Sequence, residues 1–270
     1  MKIFAISVVK NEADVIRYNL LEASKWADKI FVLDNGSTDD TWEIVNSIKS
    51  DKIIPWKKET KDFYDGIRGE VYHEFKHLAS EGDWWCFRLD ADEFYADNPV
   101  EFLAKVSPLY HFVATATIHF WLTREDIAEH QFTNDAEHNI PNIRYYEKHT
   151  WSEARFFRHR KQLIWNPGAE LPKHMGVLCP TRIKVKHYQF RSLEQIQNRI
   201  TTRLEAVKNG FKGWNHAINE DAESYLSKRE DLHLYEGGNT WNILGSHNKY
   251  YQRKYDIVLK TILHWVGIYK

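Results

Sequence analysis

The sequence predicts an α/β fold built on a mostly parallel sheet flanked by helices. Two observations carry that prediction. Short apolar runs alternate with stretches of helical periodicity through the first hundred residues. Polar or acidic residues also stand at the ends of those runs, where ligands bind in open parallel sheets.

The elements follow in order. "KIFAISVV" reads as a buried strand, and Ile16, Leu20 and Ala23 then recur at helical spacing. "KIFVL" is a second strand. In the "NGSTDDT" that follows, Ser37 is placed to cap a helix with Thr41, Ile44, Val45 and Ile48 on its apolar face. "KIIPW" is a third strand, and its Pro55 suits an edge or a strand end. Ile67, Val71, Phe75 and Leu78 mark a helix starting near Asp65, and "WWCFRL" is a fourth strand. Asn98-Pro99 has the form of an N-cap followed by a first-turn proline.

The second half reads differently. "FVATATIHFWLT" and "EARFFRH" look like longer, antiparallel strands, and "RIKVKHYQF" like a half-exposed one. Residues 123–151 read as a polar, irregular loop suited to an acceptor site, with Trp121 and Trp151 as stacking or core residues. Ser192 and Gln195 have capping-box spacing at the head of a helix carrying Leu193, Ile196, Ile200, Leu204 and Val207, which Gly210 ends. Residues 250–270 predict an apolar-basic helix. Packing through Tyr255, Ile262 and Trp265 is one role for it, and contact with a membrane surface is the other. The expected division is a nucleotide-binding catalytic part over residues 1–190 and a helical extension over 191–270.

Composition narrows the function. A chain with 43% hydrophobic and 28% charged residues is an ordinary globular one, and a net charge of −1 gives no long-range attraction to nucleic acid. Cys86 and Cys179 are far apart and form no CxxC pair, which fits a reducing, cytoplasmic setting. The apolar run at the N-terminus is too short for a secretory signal, and no run is long enough to span a bilayer.

Chemistry concentrates in "RLDADEFYAD". Asp90 and Asp92 flank one alanine at a strand end, and an extended backbone points both carboxylates one way. Such a pair suits Mg²⁺ or Mn²⁺ shared with phosphate oxygens; the competing reading is an acidic turn, with Asp97 or Asn98 capping the next helix. Asp34 is a candidate acceptor for a uracil imide or a ribose hydroxyl, set in a stretch that also favours a tight turn. Arg68 lies near a helix N-terminus, where the macrodipole disfavours it. That placement suits stacking on a base or pairing with phosphate, and an ion pair with Glu70 or Asp65 competes. His187 ends the last predicted strand and can complete a metal shell begun by Asp92, or pack as a backbone-bonded histidine; His174 is equally ambiguous.

Residues 7–45 followed by "WWCFRLDADEFY" resemble the family 2 glycosyltransferases and their relatives with a D-x-D-E-F motif. The "NE", "DNGSTD" and "DADEF" stretches in this order carry the likeness, and "ARFFRH" and "KVKHYQFRSLEQIQNR" extend it. The resemblance implies a GT-A fold that binds a UDP-, GDP- or dTDP-linked sugar and transfers it, with inversion, to a glycan or a lipid-linked acceptor. It implies that Asn11, Glu12, Asp34 and Arg68 meet the nucleoside. It further implies that Asp90 and Asp92 face the ribose and diphosphate across a Mn²⁺ or Mg²⁺, and that His187 helps hold the ion. An inverting transfer needs a carboxylate to take the acceptor proton. Asp126 in "LTREDIAEH" is slightly favoured, with Glu125 and Glu153 as alternatives and a helix-capping role for "RED" competing. A nucleotidyltransferase would carry a Gly-rich loop after the first strand, where this chain has "VVKNEAD". A non-catalytic nucleotide-sugar-binding module is the remaining rival.

Overall fold

A computed structural model describes residues 1–64, 66–208, 221–238, 241 and 252–268, with the backbone alone at 148–150. Four parallel strands form its first half: β1 (Ile3–Val9), β2 (Lys29–Asp34), β3 (Ile53–Lys58) and β4 (Trp84–Cys86), in the spatial order β4-β1-β2-β3. The apolar runs are nearly continuous because both faces are covered. Ile3, Ala5, Ile30 and Val32 point into one core, against α1 (Ile16–Ser24) and α2 (Thr41–Ser47). Phe4, Ile6, Phe31 and Leu33 point into the other, against α3 (Ile67–Phe75). The period-2 alternation of a strand thus feeds two cores at once. The fold is GT-A, α/β with flanking helices.

β4 is shorter than "WWCFRL" suggests. After Cys86 the chain bends, returns as β5 (Glu93–Tyr95), and enters α4 (Pro99–Ala104), where Asn98 Oδ1 accepts from Val100 N at 2.9 Å. Asp97 takes no part in that cap; its Oδ2 accepts from Lys184 N at 2.9 Å. Ser37 is not a helix cap either. Its hydroxyl accepts from Asn11 N at 2.9 Å, and Asp40 precedes α2 without a side-chain cap bond.

Past β4 the sheet turns antiparallel. β6 (Phe112–Phe120) lies antiparallel to β8 (Ala154–Arg158), which pairs with β4 in the same sense. Between β6 and β8 the chain is structured: α5 (Arg124–Glu129), α6 (Ala136–Asn139) and β7 (Tyr145–Trp151) occupy the segment expected to be an irregular loop. β9 (Ile183–His187) runs parallel to β6 and antiparallel to β5, and β10 (His233–Leu234) extends β7.

The helix after β9, α7 (Leu193–Lys208), buries Ile196 and Ile200 with Ile118 and Phe120 of β6 in a third core. Ser192 Oγ accepts from Gln195 N, but Gln195 Oε1 accepts from Arg191 N, so only half of the capping box forms. Gly210 lies outside the described residues. The last helix, α8 (Lys254–Trp265), seats His264 on the His111 ring at 3.7 Å. The expected core residues Tyr255, Ile262 and Trp265 face outward, 60%, 48% and 75% exposed. No described helix is long and apolar enough to cross a membrane.

Candidate donor-binding site

The carboxyl ends of β1, β2 and β4 meet at a cavity of about 1250 Å³. Asn11, Glu12, Asn35, Asp90, Asp92 and Glu93 line one side of it, and α7 contributes Arg199, Thr202 and Arg203. His119, His187 and Glu153 face it from β6, β9 and the start of β8. These twelve residues come from elements separated in sequence by long stretches, and the sheet's topology brings them together.

The D-x-D stretch is a turn rather than an extended strand end. Glu93 N donates to Asp90 O at 3.2 Å, and the buried Asn19 of α1 donates to Glu93 O at 2.8 Å. The two aspartates therefore meet different partners. Asp90 Oδ1 receives Arg68 Nη2 at 2.9 Å and its Oδ2 receives Arg155 Nη1 at 3.2 Å. Asp92 Oδ2 lies 3.2 Å from His187 Nε2, 3.0 Å from Arg199 Nη1 and 4.0 Å from Arg191 Nη1. Burial pushes both carboxyls up, and these cations outweigh it: Asp90 lies below its usual value and Asp92 well below. Arginine is thus one cation that balances the acidic cluster.

Glu93 lines the same cavity and ion-pairs with Arg155 at 2.9 Å; burial still raises its carboxyl to about 7. Glu12 behaves alike. It pairs with Arg191 at 2.7 Å, yet burial raises it to about 7. Asn11 takes a left-handed backbone, φ 55°, and bridges α7 and the β2 turn: Nδ2 donates to Thr202 Oγ1 at 2.9 Å, and Oδ1 accepts from Thr38 N at 2.8 Å. Asp34 is fully buried and does not line the cavity, whereas the adjacent Asn35 does. Asp34 Oδ1 accepts from Ser37 N at 2.6 Å; Oδ2 has no hydrogen-bond partner among the described residues. Arg68 is buried against Asp90 instead of Glu70, and it too lies off the cavity wall.

Of the three expected base candidates, Glu125, in the first turn of α5, and Asp126 do not line the cavity, and Glu153 does. Asp126 is buried in the capping box of α5, bonded to Thr123 N at 3.0 Å and to Arg229 at 2.7 Å, away from the cavity. A carboxylate buried off the cavity cannot reach a substrate proton there, so the expectation for Asp126 is corrected. Glu153 does line the cavity. Arg88 holds its Oε2 at 2.6 Å and Trp151 Nε1 donates to Oε1 at 2.9 Å. Arg155 and Arg88 draw its carboxyl down to about 2 against the effect of burial. Trp151 faces the cavity, while Trp121 packs on Phe190 at 5.3 Å.

Among the described residues no group of three His, Cys, Asp or Glu side chains is arranged to hold a metal ion. Asp92 and His187 offer one hard oxygen and one imidazole nitrogen 3.2 Å apart. That fits an ion which keeps waters and takes its other ligands from a diphosphate.

Sequence reasoning missed Arg155, Arg191, Arg199 and His119. Arg155 left a signal: an arginine inside the apolar strand "ARFFR" needs a buried partner.

The family model "Glycosyl transferase family 2" matches residues 5–170, more than half of the chain. The chain belongs to glycosyl transferase family 2. A curated relative, the UDP-Glc:alpha-D-GlcNAc-diphosphoundecaprenol beta-1,3-glucosyltransferase WfaP of Escherichia coli, is 32% identical over 92 residues. That match covers 34% of this chain and 32% of WfaP, so the chain spans about a third of the relative's length. A solved structure, S. aureus TarS 1-349 in complex with UDP, superposes with a TM-score of 0.37 at 14% identity, covering 80% of this chain and 68% of that one.

Proposed function

We propose that this protein transfers a sugar from a nucleoside-diphosphate sugar to an acceptor hydroxyl, with a divalent cation and with inversion. The carrying observation is the cavity at the carboxyl ends of the parallel strands, where Asp92 and His187 stand opposite Arg199 and Arg203 of α7. Cations and a cation-binding pair facing one space suit a diphosphate leaving group. Asn11, Glu12 and Asn35 form the end of the cavity that suits the nucleoside.

A Mn²⁺ or Mg²⁺ held by Asp92 and His187 would supply charge neutralisation of the departing diphosphate. The chain's own residues do the rest. Arg199 and Arg203 screen phosphate charge, and Arg68 and Arg155 keep Asp90 ionised and fixed. Glu153 is the candidate base. Its low proton affinity makes it a poor base for a resting hydroxyl, but the hydroxyl becomes strongly acidic as its oxygen bonds to the anomeric carbon. Proton transfer to Glu153 is then concerted with bond formation.

The name of WfaP makes UDP-glucose, with alpha-D-GlcNAc-diphosphoundecaprenol as acceptor, the first pair to test. The experiment is a transfer assay over UDP-, GDP- and dTDP-sugars with Mn²⁺ or Mg²⁺. Metal-dependent transfer of one donor's sugar supports the proposal. Binding of donors without transfer to any acceptor favours a non-catalytic binding module.

A further inference from the structure

The parallel pairing of β6 with β9 places His119 directly opposite His187. Their Nδ1 atoms lie 2.7 Å apart, with ring centroids at 4.9 Å and planes 72° apart. Two ring nitrogens at that distance share one proton, so one ring donates and the other accepts. The outcome decides what His187 can do at its other nitrogen. If His119 donates, a neutral His187 carries its proton on Nε2, and that N–H is directed at Asp92 Oδ2, 3.2 Å away. If His119 accepts, the His187 proton stays on Nδ1 and the Nε2 lone pair is open toward the cavity.

We propose that His119 is a positioning residue: by accepting from His187 Nδ1–H it fixes the tautomer in which His187 Nε2 ligates the divalent cation. The inference rests on the cation-binding role given to Asp92 and His187 above. It extends that role to a residue that holds no ion itself. The usual partner of a ligating histidine's second nitrogen is a carboxylate, a backbone carbonyl or water. Here a second imidazole takes that place, and His187 Nδ1 has no other hydrogen-bond partner among the described residues.

The test uses the full chain with UDP present and reads Mn²⁺ affinity by electron paramagnetic resonance. His119→Phe keeps a ring of similar size and removes the acceptor; His119→Gln restores an acceptor oxygen. The expected result is a loss of about 10–100-fold in Mn²⁺ affinity for His119→Phe, as for other lost partners of metal-bound histidine, with most of it regained in His119→Gln. In the diamagnetic Mg²⁺–UDP complex, ¹⁵N spectra of the wild type are expected to show His187 protonated at Nδ1 only. Equal Mn²⁺ affinity in wild type and His119→Phe overturns the role of His119 alone, and so does a proton on His187 Nε2 in the Mg²⁺ complex. A wild type that binds no Mn²⁺ in the presence of UDP overturns the cation-binding reading, and this inference with it.

Discussion

Asp90 and Asp92 stand one alanine apart, yet the molecule treats them differently. Asp90 is held by Arg68 of α3 and Arg155 of β8, both within the segment that matches the family model. Asp92 is held by His187 of β9 and by Arg191 and Arg199, all beyond that segment. Arg68 and Arg155 are buried and engage Asp90 from two directions; Arg199 and His187 open onto the cavity. The difference teaches that the acidic stretch combines two functions. The partners of Asp90 belong to the scaffold and the closest partners of Asp92 line the cavity; both carboxylates line it too, and the Asp90 side chain is the more exposed, 30% against 8%.

Removing Arg155 is the strongest way to probe the scaffold side. Arg155→Ala leaves Asp90 and Glu93 without their shared buried cation, which costs about 3–5 kcal/mol when a buried pair is broken. Urea unfolding measures it. A stability within 1 kcal/mol of wild type, by the same scale, would place Asp90 outside the scaffold.

Glu153→Gln keeps the shape of the side chain, can accept from only one of Arg88 and Trp151, and removes the base. Transfer is expected to fall about 100-fold or more with donor affinity unchanged, in steady-state kinetics paired with calorimetric donor binding. A fall in donor affinity alone would assign Glu153 to the donor pocket instead.

On the Asp92 side, Arg199→Gln is expected to leave stability nearly unchanged and to weaken UDP binding by about tenfold, the scale of one lost charge-assisted hydrogen bond. If this variant unfolds as readily as Arg155→Ala, the division between the two sides fails.

The smallest effect is a pH slope. Glu12 has its folded carboxyl raised from 4.5 to about 7. A raised carboxyl binds its proton more tightly in the folded state, so its contribution is fully present below pH 4.5 and is lost as pH rises through 7. Glu12→Gln is expected to flatten the stability profile across that window, as read by thermal unfolding at a series of pH values. An unchanged slope would contradict the raised value.

Much of the scaffold was legible from local pattern. Continuous apolar runs bounded by helical periodicity marked β1 and β2, because each is buried on both faces; Pro55 marked β3 as an edge strand, and Asn98-Pro99 marked the start of α4 through its own cap. Residues 123–151 were not legible, because Thr123 and Asp126 form a cap within a polar stretch that also has the composition of a loop. The α8 stripe misled for the opposite reason: Tyr255, Ile262 and Trp265 have core spacing but face outward. At the site, Asp90, Asp92, His187 and Glu153 were visible as residue types at strand ends. Their counterions were not, since Arg155 lies 65 residues from Asp90 and Arg199 lies 107 from Asp92. Pairings that distant are set by the sheet's topology, which no local window contains.

The central claim is that Asp92 and the groups around it bind a nucleoside-diphosphate sugar through a divalent cation. Calorimetric titration of UDP-glucose into wild type and Asp92→Asn, with and without Mn²⁺, tests it most directly. The account predicts Mn²⁺-dependent binding to the wild type that Asp92→Asn loses while remaining folded. Equal binding by both proteins, or binding to wild type that is indifferent to Mn²⁺, would contradict it.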